Sequence, residues 1–188
     1  MGYLFADFIM AKYHWFKDSY CSPSTPIIGK FMIQKSRIHH IKPRYILEVS
    51  DAKILSESTF WTSLWTIPLV FIFRKFRIFF ATLFSFISIN DVSHKYAHMD
   101  DLERPLWATI LQKFRLFQSY EEHHLHHIEP HDSNYAPITP WINPILEKIN
   151  YWRRLEKLIE LSIGIKARNN VDKYVEDLSQ PSGIRFVK

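Results

Sequence analysis

The sequence predicts an all-α integral membrane protein with a short transmembrane hairpin and a cytosolic, histidine-rich helical cap. Two uncharged stretches, 60–73 and 78–90, flank the basic segment 74–77. Fifteen Phe, nine Tyr and six Trp give the aromatic content that suits a membrane interface. The ten histidines fall into four short segments. At 188 residues the chain can build a single core. We place that domain at residues 1–175, followed by a polar tail at 176–188.

The N-terminal segment 1–11 is apolar, but it carries Asp7 and is shorter than the ~20 residues that cross a bilayer. It lacks the basic start and the small-residue cleavage site of a signal peptide, so we expect a partial helix along the membrane interface. The loop 21–26 then separates this helix from the next segment. Cys21 is the single cysteine, which excludes an intramolecular disulfide and a thiolate metal cage and is consistent with a reducing cytosolic face.

The two uncharged stretches reach the length of a bilayer only when they are extended to cover 55–97, which includes Glu57 and Asp91. We therefore predict a transmembrane hairpin over about 55–97 with its basic turn at 74–77. Trp61 and Trp65 fit an interfacial aromatic belt. A buried helical hairpin in a soluble core is the alternative.

Both ends of a hairpin emerge on one side, so all four histidine segments are predicted on the same face of the membrane. The tally of Lys and Arg makes that face cytosolic, in the endoplasmic reticulum or an equivalent host or bacterial membrane. The net charge of +5 suits contact with anionic headgroups. No nucleic-acid recognition module is visible, and we expect no nucleic-acid partner.

The segment 135–144 contains three prolines, and we do not expect a regular helix until after Pro144. From Ile145 to Ile163, apolar residues recur every three or four positions, which predicts one amphipathic helix capped by Gly164. Its other face is basic. Such a helix can lie on the membrane surface or pack its apolar stripe on the domain, and the sequence leaves both open.

Five histidines occupy the nine positions 123–131. On a helix His123 would share one face with both His126 and His127, so these imidazoles can converge on a shared metal centre. His94 and His98 have the same four-residue spacing, directly after the second uncharged stretch. The alternatives for the segment 123–131 are a solvated polar turn, or a chance histidine-rich tract that binds metal loosely.

Two further segments add histidines. His39 and His40 are adjacent and diverge by about 100° on a helix, so they cannot both face one ion. Either one is a ligand and the other supports it, or the backbone turns before Pro43. His14 lies four residues before Asp18; ligation and an interfacial histidine capped by the carboxylate are both open.

The chemistry of these donors narrows the kind of site. A structural zinc site needs four ligands and is closed, and no H-E-x-x-H motif of a zinc hydrolase is present. Soluble di-iron bundles use mainly Glu, whereas carboxylates are scarce near these histidines. An imidazole-dominated di-iron site beside an apolar slot, lined by the aromatics of 60–90, suggests oxidation of a lipid chain.

The motif H-x-x-x-H at 94–98 and H-x-x-H-H at 123–127 resemble the histidine boxes of membrane fatty-acyl desaturases. With Arg37–Pro43, the stretch from Gly2 to Asp18 and the run Trp152–Glu156, the chain more specifically resembles the Kua/plasmanylethanolamine desaturase family, over roughly residues 2–175. The resemblance implies a helical membrane desaturase that uses two iron ions and dioxygen. It would introduce a double bond into a phospholipid-borne alkyl or acyl chain, with electrons from a donor such as cytochrome b5 or ferredoxin.

The resemblance also implies the metal ligands. Asp18 matches a family acid and is assigned beside the ligands, whereas Glu122 and His124 depart from the family pattern and are the least expected to bind metal. A degenerate, non-catalytic membrane module that binds metal or lipid is the alternative function, and a small soluble metal-binding helical domain is a third. The histidines that match family histidines are His14, His39, His40, His94, His98, His123, His126, His127 and His131.

Overall fold

The computed structural model describes residues 2–167, which form helices and connecting loops with no β-strand in that range. The predicted all-α class is therefore confirmed, while the tail 176–188 and the end of the predicted domain lie outside the described residues. Between α1 and α2 lies a π-helical turn, Gly29–Ile33, and 3-10 turns cover Pro43–Glu48, Arg74–Phe76 and Leu125–His127. The α-helices are α1 (Gly2–Tyr20), α2 (Gln34–Ile41), α3 (Asp51–Ile72), α4 (Arg77–Ser88), α5 (Asn90–Ala97), α6 (Leu106–Lys113), α7 (Tyr120–His124), α8 (Ile142–Lys148) and α9 (Tyr151–Ile163).

Helices α3 and α4 pack against each other and are joined by the 3-10 turn that contains the basic residues. Ser50 caps the start of α3, where its side chain accepts a hydrogen bond from the backbone N–H of Lys53. Among the described residues, one helical stretch, 74–97, is long and apolar enough to cross a membrane. The charged residues Asp51, Lys53 and Glu57, together with the hydroxyl residues near them, lower the hydropathy of the first half of α3. Insertion of the α3–α4 pair as a transmembrane hairpin therefore stays a prediction.

Helix α1 is longer than the expected partial helix, and the break after Tyr20 falls at the predicted loop. Its Asp7 is buried and accepts hydrogen bonds from the backbone N–H groups of Ile138 (3.0 Å) and Thr139 (2.9 Å). These bonds hold the proline-rich segment against α1. Trp15 of α1 also stacks on Trp152 of α9 at 5.7 Å between ring centroids.

The predicted continuous helix Ile145–Ile163 is wrong, because the chain breaks between α8 and α9. Asn150 adopts the left-handed conformation with φ of 51°, which asparagine tolerates better than most residues. Helix α8 also begins before Pro144, since a proline in the first turn has no helical hydrogen bond to lose. Gly164 caps α9 as predicted, with φ of 73°.

Helix α9 packs on the domain through one face, where Trp152 is buried in a core with Ala11, Trp15 and Tyr135. Other apolar residues of α9 stay on the surface, with Leu158 60% and Leu161 72% exposed. Of the two arrangements the sequence left open, packing on the domain is thus found. Contact of the exposed apolar edge with a membrane stays a prediction.

Candidate metal centre

Four helical segments bring the histidines together. Helix α1 carries His14, α2 carries His39 and His40, the end of α5 carries His94 and His98, and α7 with its following turn carries the remaining cluster. The capping box at the start of α7 fixes where that cluster begins. In it Ser119 accepts from the N–H of Glu122, and the Glu122 carboxylate accepts from the N–H of Ser119.

The first group consists of five imidazoles from three helices. Each has a ring nitrogen within 4.8 Å of the others. The Nε2 atom of His98 lies 3.1 Å from that of His39 and 3.2 Å from that of His94, and the Nε2 atoms of His123 and His127 are 3.0 Å apart. With metal–nitrogen bonds of about 2.1 Å, two ligands at a right angle lie about 3.0 Å apart. The spacing of the five nitrogens therefore fits one ion.

The second group contains three imidazoles and one carboxylate, all buried: His14, Asp18, His40 and His126. Asp18 Oδ2 lies 3.3 Å from His14 Nε2 and 3.6 Å from the Nε2 atoms of His40 and His126. This oxygen has no hydrogen-bond donor among the described residues. A buried carboxylate oxygen that faces three imidazole nitrogens is the donor set expected of a cation site.

Arg37 orients this carboxylate. Its guanidinium is 3% exposed and donates to Asp18 Oδ1 at 2.9 Å and to the backbone oxygen of Cys21 at 2.9 Å. Burial opposes ionisation of Asp18, yet the charge of the Arg37 guanidinium beside it outweighs burial and holds the pKa of this carboxyl below its usual range. Asp18 therefore stays an anion and keeps Oδ2 available for a metal ion.

Backbone carbonyls fix the tautomer of two ligand histidines. His14 Nδ1 lies 3.1 Å from the backbone oxygen of Tyr135, and His126 Nδ1 lies 2.8 Å from that of Ser133. A carbonyl only accepts, so each Nδ1 must carry the proton and each Nε2 keeps a lone pair directed at Asp18. Metal-binding histidines are commonly oriented in this way.

The imidazoles are neutral in this environment. Burial lowers the pKa of His14, His39, His40 and His123 well below the ordinary value, and neighbouring histidines lower it further. Neutral imidazole is the form that binds a metal ion. A bound cation would satisfy the lone pairs that face one another in each group.

The adjacent histidines are divided between the two groups. His39 enters the first group and His40 the second, and likewise His127 enters the first and His126 the second. His39 and His40 do not face one ion, as expected for adjacent residues of a regular helix. The two expected arrangements were a turn of the backbone and one histidine supporting the other, and neither is found. Instead α2 stays regular through both residues and each histidine joins a different group. His123 and His126 fall in different groups, because a 3-10 turn rather than a continued α-helix follows His124.

The remaining candidates lie beside the two groups. His131 is buried and stacks on His40 with 5.0 Å between ring centroids, but it belongs to neither group, and its role as a ligand stays a prediction. His124 is exposed and stacks on Tyr120, and Glu122 caps α7 and pairs with Arg115 at 3.1 Å. Their placement agrees with the doubt attached to both from the sequence.

Sequence reasoning assigned no role to Arg37 or to the carbonyls of Ser133 and Tyr135. Arg37 lies three residues before His40, a spacing that places both on one helical face and that could have indicated its role. The two carbonyls belong to irregular backbone, where no side chain gives a signal.

A cavity of about 710 Å³ opens beside the histidines, with His14, His39 and His94 in its wall. Its other walls come from the first five helices, α1 to α5, and include Ile9, Trp61, Trp65 and Ile87. The expectation of a slot lined by the aromatics of 60–90 is only partly met, since Phe71, Phe73 and Phe76 are exposed on the outer surface instead.

The lipid desaturase domain family matches residues 3–170 of the chain. A probable fatty acid desaturase of Acanthamoeba polyphaga mimivirus is 54% identical over 100% of this chain and 94% of that protein. Plasmanylethanolamine desaturase 1 of Mus musculus is 32% identical over 94% of this chain and 69% of that protein. The plasmanylethanolamine desaturase of Myxococcus xanthus is 25% identical over 90% of this chain and 62% of that protein.

No solved structure matches the chain. The family match covers nearly all of the described residues, and within them lie a histidine cluster compatible with metal binding and the motifs that carried the resemblance. By this evidence the chain belongs to the lipid desaturase domain family, and so to the oxidoreductases.

Proposed function

We propose that this protein is a membrane lipid desaturase. It would use two iron ions and dioxygen to introduce a double bond into an alkyl or acyl chain of a phospholipid. Two of its relatives are named plasmanylethanolamine desaturases, and we propose a reaction of that kind for this chain. Electrons would come from a donor protein such as cytochrome b5 or ferredoxin.

In this proposal each donor group binds one iron. The first ion would be held by His39, His94, His98, His123 and His127, and the second by His14, Asp18, His40 and His126. The sequence placed Asp18 beside the ligands. We propose it as a ligand itself, because its Oδ2 faces three imidazole nitrogens. His131, which stacks on His40, stays a predicted additional ligand.

One observation carries the proposal: histidines of both groups form part of the wall of one largely apolar cavity. A lipid chain in that cavity would lie against both metal positions. The cavity volume of about 710 Å³ is in the range of small-molecule sites, about 300–1,000 Å³.

The residues of the chain position and protect the reactants. Iron bound here would supply the ability to activate dioxygen and to remove hydrogen from unactivated C–H bonds. The apolar walls would exclude water and hold two adjacent methylenes of the lipid against His14, His39 and His94. Arg37, by holding Asp18 Oδ1, keeps the other oxygen directed at the second ion.

The surface supports membrane insertion of the α3–α4 pair. Large apolar side chains are exposed along both helices, among them Leu64 (55%), Phe71 (70%) and Ile78 (78%). Isolated exposed apolar residues are ordinary, but a continuous apolar surface marks an interaction site. The hydroxyls of Thr82 and Ser85 donate to carbonyls four residues earlier in their own helix, which satisfies these groups without water. The histidine groups would then lie on the cytosolic face.

The test is the metal content of detergent-purified protein, measured together with the lipids of cells that express it. We expect two irons per chain and a new unsaturated or vinyl-ether phospholipid. The variant His126→Ala should remove the product and leave insertion into membranes unchanged. His124→Ala is the matched control, because His124 is exposed outside both groups, and it should keep full activity. No iron together with unchanged lipids would refute the proposal in favour of a non-catalytic metal- or lipid-binding module.

A further inference from the structure

The cavity beside the histidine groups is charged at one end and apolar at the other. Lys53, Glu57, Trp61 and Trp65 follow one another on α3 at four-residue intervals, and all four line the cavity. Four-residue spacing keeps them on one face of the helix, and the twelve residues from Lys53 to Trp65 rise by about 18 Å. The cavity thus has the polarity of an amphiphile along this length.

Lysines from three helices contribute to the cavity wall. Lys17 of α1, Lys35 of α2 and Lys53 of α3 all line the cavity. Lys35 is paired with Glu57 at 3.3 Å. Within residues 2–167 neither Lys17 nor Lys53 makes a salt bridge, and Lys17 Nζ lies 5.1 Å from the centre of the Tyr13 ring. Two cations at this end are therefore uncompensated.

The other carboxylate in the cavity is not paired with a lysine. Asp91 accepts hydrogen bonds from the hydroxyl of Ser58 at 2.6 Å and from the side-chain amide of Asn90 at 2.7 Å. Its negative charge remains, but three lysines and only two carboxylates line the cavity, so the lining keeps one positive charge in excess.

We propose that Lys17 and Lys53 form a subsite for the phosphate group of a phospholipid headgroup. The inference rests on the proposed lipid desaturase function and names residues that would select its substrate. Lysine binds phosphate as a point charge at the end of a long apolar stem, so both side chains can line an apolar cavity and still place an ammonium at its edge.

The apolar end points to a lipid from the bilayer as the source of the phosphate. Trp61 is 50% exposed and Trp65 39% exposed. They thus line the cavity and also contribute to the apolar outer surface of α3. A chain that arrives from the bilayer reaches the cavity along these two side chains, and its headgroup stays at the level of the lysines. A water-soluble acyl thioester, which also carries phosphate, would have to enter from the opposite end.

The experiment measures binding rather than turnover. Purified full-length protein in detergent micelles is titrated with phosphatidylglycerol whose chains carry bromine atoms, which quench Trp61 and Trp65 when a chain occupies the cavity. Diacylglycerol with the same brominated chains is titrated in parallel, and a Trp61→Phe/Trp65→Phe variant identifies the cavity signal. We expect the phospholipid to bind about tenfold more tightly than the diacylglycerol, the size of a charge-assisted hydrogen bond.

Substitution of the lysines should remove this preference. The double variant Lys17→Gln/Lys53→Gln should bind both lipids equally, and Lys17→Arg/Lys53→Arg should keep the preference. Lys12→Gln is the matched control: Lys12 is on the same helix, its Nζ lies 5.7 Å from the Phe8 ring centre, and it is outside the cavity. It should bind like the unchanged protein.

Three results would overturn the subsite. They are an unchanged preference in the double glutamine variant, the same loss in Lys12→Gln, and a lysine-dependent affinity for an acyl-coenzyme A but not for the phospholipid. Because no turnover is required, the two proposals fail separately. Lysine-dependent lipid binding without any desaturation would refute only the proposed reaction, whereas desaturation with lysine-independent binding would refute only the subsite.

Discussion

The replacement of Asp18 by asparagine tests the second donor group most directly. Asparagine has the same shape and can still accept from Arg37 through Oδ1, but it removes the only negative charge among the four donors. It also removes the carboxylate that is ion-paired with the buried guanidinium of Arg37, whose side chain is 4% exposed. Loss of one partner of a buried ion pair costs about 3–5 kcal/mol.

An ion pair elsewhere in the chain provides a matched control. Arg153 and Asp132 have the same N···O distance as Arg37 and Asp18, 2.9 Å, but their side chains are 44% and 38% exposed. Water screens such a pair, so Asp132→Asn should cost less than about 1 kcal/mol. The N···O distance is thus the same in the two pairs, whereas Arg153 is exposed to water and keeps its second ion pair, with Glu156, after the substitution.

Two measurements on the purified variants decide the matter. Unfolding of metal-free protein in mixed micelles should show a loss of unfolding free energy of about 3 kcal/mol or more for Asp18→Asn, and almost none for Asp132→Asn. Metal analysis should show one iron per chain instead of two for Asp18→Asn, with desaturation abolished. Two irons and full activity in Asp18→Asn would refute the reasoning on the second group, and equal stability losses would refute the reasoning on burial.

Three further predictions concern stability. Gly29→Ala should cost about 3 kcal/mol by denaturant unfolding, because a Cβ there would lie 2.2 Å from the backbone oxygen of Pro23, whereas Gly164→Ala, with open space around it, should cost about 1 kcal/mol for its left-handed backbone. The reverse order would contradict the packing. Ser119→Ala removes the cap of α7 and should cost about 1 kcal/mol in the same assay, and no loss would show the capping box to be irrelevant. In metal-free protein, the buried histidines have a pKa in the folded state that lies below the pKa in the unfolded state. Below pH ~6.5 the unfolded state therefore binds more protons than the folded state. The unfolding free energy should fall on acidification by about 1.4 kcal/mol per pH unit for each such histidine. A flat profile of unfolding free energy between pH 7 and pH 5 would exclude their burial as neutral groups.

The sequence predicted which histidines come together, but not how they divide into two donor groups. Residue type and clustering selected every histidine of the two donor groups, because imidazole has few structural uses at that density. The division into two groups depends on the relative rotation of four helical segments, which no local pattern specifies. His126 illustrates this: its direction is set by a 3-10 turn, whereas a regular helix was assumed.

The positions of helices were predicted correctly where long apolar stretches specify them. They were mispredicted where the conformation of a single residue ends or interrupts a helix. The apolar stretches on either side of the basic turn gave α3 and α4 because burial of apolar side chains acts over many residues. The break at Asn150 depends on a single positive φ angle, which the apolar pattern of 145–163 does not reveal. In the same way the role of Asp18 depends on Arg37, nineteen positions later in the chain, and could not be read from the neighbours of Asp18.

The division of His39 from His40, and of His126 from His127, has a consequence for assembly of the centre. Each pair is joined by one peptide unit, so an ion that immobilises one histidine of a pair also restricts the backbone that presents the other. The entropy of ordering these segments is lost mainly when the first ion binds. The second ion should therefore bind more tightly than the first, and a titration stopped at half saturation should contain chains with two ions and chains with none, with few in between.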